Sequence, residues 1–225
     1  MTTRINYATP TGRSVSGELA LPPARESGSA KAPAVLLFQE YWGVNDHIRD
    51  LGERLAREGY VVLAPDLYDG KVTTNADEAA TLSKGIDWDA AMDHIQGAAQ
   101  LVRTHERGNG KLGSIGFCMG GGAALRTACA VEGVLGAVAF YGIPQKADWS
   151  RLSGAVLGHY AKQDEHVTPT RVEAMKSDLA GKAVEIHMYD AKHAFFNDTR
   201  PAVYDAQAAK LAWERTLAFF AKVFS

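Results

Sequence analysis

Two rhythms of apolar residues alternate along this chain. Short apolar runs at 34–38, 60–64, 111–117, 136–141, 155–160 and 184–189 read as strands, most of them buried on both faces. Between them lie segments with helical spacing. Residues 46–58 carry Ile48, Leu51 and Leu55 on one face and stop at Gly59; 87–104 carry Met92, Ile95, Ala99 and Val102. Residues 120–131 are small and apolar in the manner of a buried helix, 169–179 read as a further helix, and 202–224 as a long amphipathic closing helix. At the start, 5–8 and 16–21 predict two strands joined at Pro10-Thr11-Gly12, an antiparallel hairpin at a sheet edge. The alternation predicts an α/β fold in one domain, residues 1–225, with a mostly parallel central sheet flanked by helices on both faces. Residues 22–33 read as a polar connector. Residues 69–84 lack apolar periodicity and read as a long loop able to form a partial cap over a site.

Composition narrows the partners. With 46% hydrophobic residues in 225, the chain can bury a sizeable core. A formal net charge of −2 supplies no basic field for nucleic acid and no polybasic membrane patch, and no apolar run is long enough to span a bilayer. The opening Met1-Thr2-Thr3-Arg4 has no apolar leader pattern, so the expectation is a cytoplasmic protein acting on small molecules, with its oligomeric state left open. The seven histidines and two cysteines show no metal-ligand spacing. His94 and His105 read as solvated residues of a surface helix, and Cys129 as core.

One stretch changes period across a single reactive residue. In Gly116-Phe117-Cys118-Met119-Gly120 a strand gives way to a helix, with glycines two residues to either side of Cys118. This is the G-x-S-x-G elbow with cysteine in place of serine. A cysteine there lies at a helix N-terminus, whose partial positive charge favours thiolate and whose N–H groups can hold an oxyanion. Asp164 follows the 155–160 strand and His193 the 184–189 strand. Nucleophile, acid and histidine in that order are the order of the α/β-hydrolases. His193 would exchange the Cys118 proton, Asp164 would fix the imidazole tautomer, and Cys118 would form a thioester. Glu165 and Asp190 compete as acids and His166 as base. Glu40, directly after the 34–38 strand, stands where catalytic groups gather in open α/β sheets.

With these residues in place, the sequence resembles the dienelactone hydrolase family, the carboxymethylenebutenolidases. The likeness rests on Gln39-Glu40 with Gly43-Val44-Asn45, on Ala64-Pro65-Asp66-Leu67-Tyr68, on Gly116-Phe117-Cys118-Met119-Gly120-Gly121, and on His193 with Phe195. The runs 197–201 and 212–217 add to it. The resemblance implies hydrolysis of a cyclic or activated ester through a Cys118-Asp164-His193 triad, without metal or organic cofactor. It implies that Glu40 lies near the resting thiol and helps to form thiolate, and that the backbone N–H groups of Tyr41 and Met119 form the oxyanion hole. Family members clamp a substrate carboxylate with arginines, one in the segment matching 76–88 and one four residues beyond the histidine. This chain has no arginine in the first and Asn197 at the second. Arg200 and Lys84 are the candidate substitutes, although lysine cannot copy a two-pronged arginine contact. Trp42, Trp88, Tyr141 and Phe195 are candidate apolar walls. Two other readings use the same residues: a general carboxylesterase or thioesterase, and a non-catalytic domain in which Cys118 is an oxidisable thiol.

Overall fold

Residues 1–23 and 31–225 are described in a computed structural model, in which the chain divides into two compact units, residues 1–113 and 114–225. The predicted connector at 22–33 falls largely on 24–30, outside the described residues.

In the first unit, strands β1 (Thr3–Ala8) and β2 (Ser14–Ala20) form the expected antiparallel hairpin. Its turn is closed by Gly12 N–H donating to the Thr9 carbonyl at 2.8 Å. Strands β3 (Ala32–Phe38) and β4 (Val61–Pro65) pair in parallel, and β2 pairs with β4 in the opposite sense, giving the order β1-β2-β4-β3. Every residue of β4 is buried, as covering of both faces requires. Helix α1 (Asp46–Arg57) starts where Asn45 accepts from Ile48 N–H at 3.2 Å and buries Ile48, Leu51 and Leu55, the three residues that predicted it.

Residues 69–84 differ from the expected loop. Their second half is a helix, α2 (Ala76–Lys84), capped by Asn75, whose side chain accepts from Asp77 N–H at 2.9 Å and Glu78 N–H at 3.0 Å. Ala79 alone is buried, so α2 has no apolar stripe for a periodicity argument to find. Helix α3 (Trp88–Thr104) follows, capped by Asp87. His94 on α3 is not solvated. It is 4% exposed, and its Nε2 lies 2.9 Å from the Tyr7 hydroxyl and 3.1 Å from the Ser16 carbonyl. Burial lowers its pKa.

Strand β5 (Gly108–Phe117) carries the chain into the second unit. There follow α4 (Met119–Ala130), β6 (Val134–Phe140), β7 (Ala155–Gln163), α5 (Pro169–Asp178), β8 (Val184–Lys192) and α6 (Ala206–Val223). The order is β5-β6-β7-β8, with β6–β7 and β7–β8 parallel. Helix α6 begins later than expected because turns after Arg200 hold 200–204. Val203 N–H and Tyr204 N–H both donate to the Arg200 carbonyl, and Asp205 then caps the helix through Ala208 N–H at 2.9 Å. Phe140, Tyr160, Phe195 and Phe220 are fully buried, each adding about 1.5–3 kcal/mol of apolar burial. Among the described residues, no helix is long and apolar enough to cross a membrane.

Candidate active site

The elbow is built by steric necessity. A Cβ on Gly116 would overlap the Gly120 carbonyl oxygen, so only glycine lets β5 turn this tightly into α4. Cys118, the N-cap of α4, takes φ 55° and ψ −119°, a strained conformation for a residue with a side chain. Backbone bonds hold it: its N–H donates to the Phe140 carbonyl at 3.0 Å, and its carbonyl accepts from Gly121 N–H at 2.9 Å and Gly122 N–H at 3.4 Å. Its side chain is half-buried.

Three side chains from three strand ends then meet. Cys118 Sγ lies 3.2 Å from His193 Nε2, and His193 Nδ1 lies 2.7 Å from Asp164 Oδ2. The other oxygen, Asp164 Oδ1, accepts from His166 N–H and Val167 N–H, both at 2.8 Å. Asp164 is thus fixed by the turn that follows β7, and its carboxylate has no exposure. Burial disfavours its charge, but His193 and the two N–H donors outweigh burial and lower its pKa. For His193, burial again opposes the charge. The bonds to Asp164 and Cys118 overcome it and push its pKa up to about 10.

The competing groups lie elsewhere. Asp190 is exposed and accepts from the Gln163 amide at 3.0 Å, and Glu165 is exposed. The exposed His166 meets the His193 ring edge-on at 5.0 Å, beside the pair and not in it. Cys129 is 6% exposed, and burial drives its pKa up to about 11, the environment of an inert thiol.

Of the proposed apolar walls in this unit, both are fully buried. Phe195 packs against Tyr189 at 5.0 Å and Tyr141 at 5.5 Å, so it belongs to the core behind His193. Tyr141 meets the imidazole edge-on at 5.1 Å and has φ 38°. Ala194, next to the histidine, also has positive φ, 63°. Residue type carried no signal for either strained backbone. Asn197 is 1% exposed, and its Oδ1 accepts from Thr199 N–H and Thr199 Oγ1, a turn contact. Arg200 is exposed.

In the first unit, Glu40 lies two residues past the end of β3 at 2% exposure, beside Gln39, which has none. Tyr41 and Trp42 stack obliquely at 4.3 Å, and the Trp42 carbonyl accepts from Thr73 N–H at 3.1 Å. Trp88 opens α3, half-buried. Among the described residues, no cluster of His, Cys, Asp and Glu has a metal-holding arrangement.

The dienelactone hydrolase family model matches residues 19–224. The chain belongs to the dienelactone hydrolase family. It is 30% identical to the carboxymethylenebutenolidase of Pseudomonas putida over 223 residues, covering 93% of this chain and 92% of that one. It resembles the solved structure of m3DLH with TM-score 0.88 and 26% identity, over 100% of this chain and 99% of that one. MGS-M1, an α/β hydrolase from a Medee basin deep-sea metagenome library, has TM-score 0.73 at 15% identity, over 99% and 98%, and shares the fold. The fold is therefore the α/β-hydrolase fold, and this dienelactone hydrolase family member is a hydrolase acting on ester bonds of small molecules.

Proposed function

We propose that this family member hydrolyses a small lactone or ester through an acyl thioester on Cys118, with His193 and Asp164 completing a triad. The unbroken line from Cys118 Sγ through His193 to Asp164, at 3.2 Å and 2.7 Å, carries this reading.

In the mechanism, the Sγ proton passes to His193 Nε2, which Asp164 stabilises as imidazolium, and the thiolate attacks the acyl carbon. The carbonyl electron pair moves to oxygen, and the backbone N–H of Met119 at the start of α4 receives the oxyanion. Collapse breaks the acyl C–O bond while imidazolium protonates the departing alkoxide. Water then gives a proton to His193 and attacks the thioester, and the departing thiolate takes that proton back from His193 to recover the first state. Arg200 is exposed and Asn197 is held in its own turn, which favours substrates without a carboxylate to clamp.

Turnover of p-nitrophenyl acetate and of dienelactone, with and without iodoacetamide, tests the reading. Cys118→Ala is expected to abolish both activities with the circular-dichroism spectrum unchanged. Turnover that survives in this variant contradicts the mechanism. The ratio of the two substrates is expected to favour the neutral ester.

A further inference from the structure

The segment that follows β6 touches both reacting groups of the second unit. Phe140 offers its carbonyl to Cys118 N–H at 3.0 Å, and the Tyr141 ring meets His193 at 5.1 Å. Gly142 lies against the elbow itself. A Cβ there would overlap the Cys118 carbonyl oxygen and stand 2.8 Å from Gly121 Cα. Any movement of residues 140–142 therefore moves the backbone under the nucleophile and the ring beside the base together.

Two hydrogen bonds from β7 restrain that segment. Tyr141 N–H donates to the His159 carbonyl at 2.7 Å, which extends the sheet ladder by one residue. The second is a side-chain bond: the Tyr160 hydroxyl donates to the Gly142 carbonyl at 3.1 Å. Tyr160 is fully buried, and burial holds its phenol in the neutral, donating form. Its direction is set by its neighbour two residues back. A Cβ on Gly158 would lie 2.5 Å from Tyr160 Cε2, so the ring lies in the space that glycine leaves open. The Met175 sulfur, 3.8 Å from the hydroxyl, closes the other side. A fixed buried donor thus holds the carbonyl of a strained loop, next to a tyrosine with positive φ.

We propose that Tyr160 is a positioning residue for hydrolysis: its hydroxyl, by holding the Gly142 carbonyl, keeps Cys118 and His193 at reacting distance. It touches no substrate and acts through residues 140–142. The inference rests on the Cys118 triad reading above. Displacement of a reacting group by a fraction of an ångström lowers the chemical step far more than it lowers binding.

The test is Tyr160→Phe in the full chain, which keeps the ring and removes only the donor. Expected are a native circular-dichroism spectrum, a kcat for p-nitrophenyl acetate lower by about tenfold, and a KM within about twofold of the parent. The rate of Cys118 alkylation by iodoacetamide, followed across pH, is expected to fall and its profile to shift, because the Sγ–Nε2 contact loosens. Gly158→Ala, which displaces the ring but leaves the hydroxyl, is expected to reproduce both changes. Parent values of kcat and of the alkylation profile in folded Tyr160→Phe would overturn the proposal. So would an unfolded Tyr160→Phe beside a folded Gly158→Ala with parent kinetics, since Tyr160 would then serve stability alone. Failure of the triad reading is separate: it shows as turnover in Cys118→Ala, whatever Tyr160→Phe does to alkylation.

Discussion

Two histidines of the second unit, one partly exposed and one fully buried, have opposite fates. His193 is bonded to Asp164 and Cys118, and its pKa is pushed up to about 10. His159, fully buried on β7, has Nδ1 2.9 Å from the Tyr189 hydroxyl and Nε2 3.1 Å from the Thr216 hydroxyl. Burial drives its pKa well down, and the nearby His187 and Arg215 add to that. Burial penalises charge in both places. A carboxylate that is itself desolvated and held by two N–H donors decides the outcome, whereas hydroxyls satisfy hydrogen bonding without supplying charge. One ring can therefore carry a proton through a reaction, and the other ties β7, β8 and α6 together as a neutral group.

Asp164→Asn turns the first site into a version of the second, and it is the largest expected effect. The loss in kcat should be of order 10³–10⁴, as the imidazolium loses its support and its tautomer. Steady-state kinetics measures the loss, and an NMR titration should show the His193 pKa falling. A titration unchanged from the parent would remove Asp164 from the explanation.

The pH dependence separates the two sites by sign. His193 has a raised pKa, so its contribution to stability is complete below its ordinary pKa of about 6.5 and is lost as pH rises through about 10. Its capacity to protonate a leaving group is lost over the same interval, and kcat should fall there. His159 has a lowered pKa, so its contribution is complete above about 6.5 and erodes as pH falls below it. Denaturant melts across pH should show both limbs.

A smaller effect is expected for His159→Phe. It should cost about 1–3 kcal/mol through the lost bonds to the Thr216 hydroxyl and to the Tyr189 hydroxyl, which keeps Arg215 as a donor, weaken the acid limb of the stability profile, and change kcat by less than about twofold. A loss of activity comparable to that of Asp164→Asn would erase the distinction between the sites. Cys129→Ala should be the mildest change, about 1 kcal/mol by urea melt, with alkylation of Cys118 unaffected.

What could be read from the sequence follows the same division between patterned and contextual signals. The β1–β2 hairpin, α1 with its Gly59 stop, and the elbow each repeat one message over several residues, and each stands near its expected bounds. The meeting of Cys118, Asp164 and His193 was legible because strand ends bring loops together whatever the details of packing. Helix α2 was missed because its start depends on one Asn75 cap and its burial on Ala79 alone. His94 was misread because its partners, Tyr7 and the Ser16 carbonyl, are 87 and 78 residues distant in the chain. Tyr141, placed as a wall, is instead a buried neighbour of His193 with a backbone sign that residue type does not encode.

The most direct measurement is a rapid acid quench of the protein with p-nitrophenyl acetate during the first turnover, followed by peptide mass spectrometry. An acetyl group on the Cys118 peptide, labile to hydroxylamine and appearing with the first equivalent of nitrophenol, is the expected result. A first equivalent of nitrophenol released while Cys118 stays unmodified throughout would contradict the acyl-thiol account.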